Sequence, residues 1–125
     1  MDITPLVPED RQIVQSYGSG RFKVSHIDYQ GSIIVLPRKT LSWNILVPDE
    51  ISFESLSIVV EEEPRIEILL IGCGKVMKLL PRNLMKELRH IGLAVDTMDT
   101  GAACRTYNVL AAEGRRVAAG MIALN

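Results

Sequence analysis

The chain is predicted to fold as one small soluble α/β (α+β) domain whose larger half, Arg65 to Asn125, is a β-α-β-α-β unit. Three observations predict it. Ile66 to Ile71 is a nearly unbroken aliphatic run, the pattern of a central strand covered on both faces. Two more apolar stretches follow, Leu93 to Met98 and Val117 to Leu124, and the segments between them repeat their apolar residues at helical spacing. Parallel strands need helical crossovers of this kind.

Element by element, the segment before Tyr17 holds Pro5, Pro8 and the cluster Glu9-Asp10-Arg11, which predicts an extended arm over residues 1–20, with a single domain over 21–125. Phe22-Lys23-Val24, Ser32 to Leu36 and Thr40 to Leu46 read as strands, separated by turn signals at Tyr29-Gln30-Gly31-Ser32 and Pro37-Arg38-Lys39. From Asp49 to Glu62 the period changes: Phe53, Leu56, Val59 and Val60 predict a helix of about two turns ended by Pro64. Gly72-Cys73-Gly74 ends the aliphatic strand. Leu84, Leu88 and Ile91 then mark a helix that begins at Pro81 and stops at Gly92. A second helix, from about Gly101 to Glu113, has Asp99 or Thr100 as its cap and Gly114 as its stop.

Composition narrows the function classes. The 125 residues are 47% hydrophobic and 23% charged, as in an ordinary globular domain with one core. With 14 Lys plus Arg against 15 Asp plus Glu, no global field draws phosphate backbones or an anionic membrane, so nucleic acid is not an expected partner. The two cysteines form neither a CxxC pair nor a disulfide framework, and no signal-peptide or membrane-spanning run is present, so reduced thiols and a cytoplasmic location are expected.

Two places resemble reactive sites. Gly72-Cys73-Gly74 after a buried strand, with Asp96 downstream, has the outline of a dinucleotide turn. Such a turn must open directly into a helix, whereas Lys75 to Pro81 intervene here, so the glycines are read as a tight turn. A small anion beside free amides and Lys75 is the remaining binding alternative at this loop.

In the second place, Thr100, Cys104 and Asn108 share one stripe of the last helix. A helix N-terminus can favour a thiolate, but neither His26 nor His90 is placed to serve Cys104 as a base, and a small buried residue is the favoured reading. Asp99 is read as a cap, and Cys73, Cys104, His26 and His90 offer no short-spaced metal ligands, so neither a metal nor a cofactor is expected. Both loop and helix start belong to the carboxyl ends of strands, where open α/β sheets take ligands. The candidate edge, for a protein partner or, as the alternative, for a small-molecule or anion binder or a weak enzyme, therefore comprises Gly72, Gly74, Lys75, Asp99, Thr100, Cys104, Arg105, Asn108 and Arg115.

Ile71-Gly72-Cys73-Gly74, Met98-Asp99-Thr100 with Ala103, Thr106-Tyr107-Asn108, Leu110 and Glu113-Gly114-Arg115 together resemble the family of mitochondrial complex I assembly factor 3. The family also holds stand-alone bacterial and archaeal proteins of unknown function. The resemblance implies a three-layer fold with a β-rich, hammerhead-like N-terminal part, no established catalytic residues, and protein partners such as respiratory-complex subunits or assembly factors. The chain lacks the Arg-rich extension of the mitochondrial member, so a bacterial-type cytosolic protein is expected. A homo-oligomer through an edge strand of the N-terminal half is a further expectation.

Overall fold

In a computed structural model, which describes residues 11–124, the described residues form two sheets and three helices. Strands β1 (Val14–Gly18), β2 (Arg21–Val24) and β3 (Ile27–Gln30) make an antiparallel meander. The five-stranded sheet holds β4 (Ile33–Val35), β5 (Thr40–Ser42), β6 (Ile68–Gly72), β7 (Ala94–Met98) and β8 (Val117–Met121), in the order β5-β4-β8-β6-β7. Helix α1 (Ser57–Val60) precedes β6, α2 (Arg82–His90) links β6 to β7, and α3 (Thr100–Ala112) links β7 to β8. The β-α-β-α-β unit is present as expected, with β6 parallel to both β7 and β8. Strand β4 joins it antiparallel to β8, so the sheet is mixed.

Alternation along the strands sorts the core onto the two faces of this sheet. Ile34, Leu69, Ile71 and Ala118 pack with Trp43, Leu56, Leu84 and Leu88 in one cluster. Ile33, Val35, Leu70, Val117 and Ala119 pack with Phe22, Val24, Cys104 and Tyr107 of the meander and α3 in the other. Small residues permit the close approach. A side chain at Gly72 would meet the backbone of Thr100 at 3.0 Å, and one at Gly120, within β8, would meet the Trp43 ring at 2.8 Å.

Several expectations are corrected. Strand pairing starts at Val14, ahead of the expected core start at Arg21, because Val14 is buried and paired with Val24. The arm's first ten residues lie outside the described residues. Tyr29 and Gln30 belong to β3, and the chain reverses earlier, at Ser25 and His26, whose φ values of 45° and 71° are carried by residues that give no glycine signal. The strand expected over Thr40 to Leu46 ends at Ser42, beyond which Trp43 turns inward against β8. The helix expected over Asp49 to Glu62 is two 3-10 turns, Pro48–Glu50 and Glu54–Leu56, and the single turn of α1. Ser52 and Ser55 exchange side-chain hydrogen bonds with each other's backbone N–H, and the Ser55 carbonyl accepts from the Trp43 indole. Those bonds compete with a regular helical ladder.

Candidate functional site

At the carboxyl ends of β6, β7 and β8, the loop and helix start do converge, through a closed set of hydrogen bonds. The Thr100 hydroxyl accepts from Gly74 N–H at 2.9 Å and donates to the Ile122 carbonyl at 2.7 Å. Thr100 N–H donates to the Gly74 carbonyl at 2.8 Å, Cys73 N–H to Met98, and Ile122 N–H to Gly72. One fully buried hydroxyl thus joins three chain segments. Gly74, at φ 97°, makes the turn that a side chain would strain. Its amide is occupied by Thr100, so the expected free amide for an anion is absent at that position. Asp99 is the cap of α3, its Oδ1 accepting from Ala102 N–H at 2.9 Å.

The other candidates leave this point. Cys104 is 2% exposed, and its thiol donates to Met121 Sδ. Burial pushes the thiol up to about 12, with Arg105 opposing and Asp99 reinforcing the rise, so the thiolate that a nucleophile needs is disfavoured at neutral pH. Thiol reagents are expected to modify Cys104 and the buried Cys73 only after denaturation, and fast labelling of the native chain at pH 8 would contradict this. Because the folded pKa is raised, the stability tied to this group is complete below its ordinary value of 9.0 and is lost as pH rises toward about 12. Tyr107, also raised by burial, adds to the same alkaline loss.

Asn108 faces the meander. Its Oδ1 accepts from Val14 N–H at 2.9 Å and its Nδ2 donates to the Val14 carbonyl at 2.8 Å, so one side chain stands in for a neighbouring strand. Asn108→Asp would set an oxygen against that carbonyl and is expected to cost about 2 kcal/mol. Hydrogen exchange should show protection lost over residues 14–18 first, and uniform loss would argue against a local clamp. Arg105, exposed on α3, donates to the Tyr17 hydroxyl at 3.0 Å.

Arg115 is a correction to the expected edge. It follows the C-terminal end of α3, about 20 Å along that helix from Thr100, at the opposite ends of the strands. There its Nε meets Glu67 Oε1 at 3.1 Å, and this bond, with Arg116 beside it, lowers the Glu67 carboxyl below its ordinary range. The Arg115 carbonyl accepts from Arg11.

What sequence reasoning missed is the outer wall of the edge. Val76 is 69% exposed, Leu79 82%, Leu46 74% and Val47 50%, whereas neighbouring Leu80 is buried. Leu46, Val47, Pro48, Lys75, Val76 and Lys78 line a hollow of about 320 Å³ together with Gly74 and Ile122 to Leu124. The available signal was an apolar segment without helical or strand period, Val76-Met77-Lys78-Leu79-Leu80, lying between a turn and a helix start. Among the described residues, no group of acids, histidines and cysteines is placed to hold a metal, and no helix is long and apolar enough to cross a membrane.

The architecture is that of a Mth938-like domain. A solved Bordetella pertussis protein described by that term is 28% identical, with a TM-score of 0.80 over 98% of this chain and 92% of its own. The chain belongs to the family described as protein of unknown function (DUF498/DUF598), whose model matches residues 14–122. A Bartonella henselae structure, described as an outer membrane protein, is 39% identical, with a TM-score of 0.86 over 96% of this chain and all of its own. The Xenopus tropicalis relative, named NADH dehydrogenase [ubiquinone] 1 alpha subcomplex assembly factor 3, is 38% identical over 109 residues, 87% of this chain and 60% of its own length. The chain spans about three fifths of the curated relatives of that name, and the resemblance seen in the sequence stands on them.

Proposed function

We propose that this chain is a non-catalytic protein-interaction module that assists assembly of a respiratory complex of the NADH:ubiquinone oxidoreductase type. The observation that carries the reading is the contrast at the sheet edge. Polar groups that would serve chemistry, the Thr100 hydroxyl and the Cys104 thiol, are buried and bonded within the fold, while Leu46, Val47, Val76 and Leu79 face outward. Exposed apolar side chains gathered around a hollow are the usual mark of a contact surface. The assembly role is carried over from the relatives that bear the name, three fifths of whose length this chain spans.

Deleting the gene in its host and measuring assembled NADH:ubiquinone oxidoreductase on native gels tests the reading. The complex should fall and should recover on return of the wild-type chain. An unchanged level, with the chain shown to be absent, would count against the assembly role.

A further inference from the structure

The apolar loop and the hollow beside it carry more than a general contact surface. Val76 projects from the segment between β6 and α2, and Leu46 and Val47 from the segment after β5, around the same concavity, while Leu79 is exposed three residues beyond Val76. Its floor is Pro48 and Ile122, both buried, with Leu124 beside them. A hollow of about 320 Å³ admits one or two inserted side chains, whereas a flat bilayer offers nothing to fill it.

Charge within its lining is one-sided. The chain as a whole carries −1, yet the rim holds Lys75 and Lys78, and neither is in an ion pair among the described residues. Among the described residues no acid is in its lining; Asp49 and Glu50 follow Pro48 in the chain, and Glu50 accepts from Leu46 and Val47 N–H. The loop is held at both ends, by the Gly74–Thr100 bonds and by buried Leu80, so little ordering is needed on contact.

We propose that this surface docks a segment of a partner protein whose apolar side chains are flanked by carboxylates. The proposal rests on the interaction-module reading and specifies where and what it binds. The probe is a synthetic amphipathic peptide of Leu, Phe and Glu, paired with a control in which Lys replaces each Glu, each titrated into the isotope-labelled full chain. The Glu peptide should shift amides of residues 46, 47 and 74–79 and bind at least about tenfold more tightly than the Lys peptide. Lys75→Glu with Lys78→Glu should invert that preference, and Val76→Ser with Leu79→Ser should abolish binding of both peptides at an unchanged melting temperature.

Equal binding of the two peptides, absence of binding, or shifts confined elsewhere would overturn the proposal. So would self-association, or binding to phosphatidylglycerol vesicles, that the same substitutions remove while the Glu peptide fails to bind. The two readings separate in the deletion strain. Loop variants that restore the complex as well as wild type sink the docking surface and leave the assembly role, whereas a deletion without effect sinks the assembly role whatever the peptides do.

Discussion

Thr100→Val is expected to lower stability by about 3 kcal/mol, far more than its near-identical volume implies. The substitution keeps the shape and removes the hydroxyl, leaving Gly74 N–H without its acceptor and the Ile122 carbonyl without its donor. Thr100 is fully buried, and an unsatisfied buried polar group costs about 1–3 kcal/mol. Thermal unfolding should shift down by about 10 °C for a chain of this size. Thr100→Ser keeps both bonds and loses only a methyl, so it should fall by about 1 kcal/mol. If Val proves as stable as Ser, the hydroxyl is not what holds the three strand ends together.

Gly120→Ala is the second large effect, expected at about 2 kcal/mol of destabilisation from overpacking. The new methyl would stand 2.8 Å from Trp43 Cη2 and 2.9 Å from Cζ3. The indole cannot swing away freely, since Trp43 is 7% exposed and its Nε1–H donates to the Ser55 carbonyl at 2.9 Å. Any shift of the ring therefore disturbs the 3-10 turns below it, and the tryptophan fluorescence should change with the stability. Trp43→Phe removes the atoms in collision. A double-mutant cycle should show Gly120→Ala costing less on the Phe background than on the wild type. Strict additivity would mean that backbone strain in β8, not the ring, sets the cost.

The sequence disclosed the elements whose burial is continuous or periodic. Residues 66–71 and the Leu84–Leu88 stripe gave the right strand and helix because both are answers to burial alone. Asp99 was readable as a cap for a similarly local reason. Strands β1 and β3 were not, since Val14–Gly18 and Ile27–Gln30 are mostly exposed and take their form from pairing with β2. The segment after Pro48 showed a helical period, but Trp43 claimed the Ser55 carbonyl from outside it.

The candidate edge divided along the same line. Gly72, Gly74, Asp99 and Thr100 meet because they are adjacent to the ends of neighbouring parallel strands, which element order predicts. Arg115 shared the same motif-rich stretch, but a helix separates it from them, and linear proximity concealed that distance. The exposure of Val76 and Leu79 was hidden for another reason. Only the folded loop shows that Leu80, and not its neighbours, turns inward.

The position of β8 has a consequence for biosynthesis. Among the described residues it is the last of eight strands to leave the ribosome, yet it lies in the middle of the five-stranded sheet, pairing Ile33 with Met121 on one side and Ile68 with Val117 on the other. Until it emerges, β4 with β5 and β6 with β7 are two unjoined ribbons, each with an apolar edge open to other nascent chains. The sheet is completed by a late, long-range closure, so the interval between translation of β7 and release of β8 is when this protein most needs shielding.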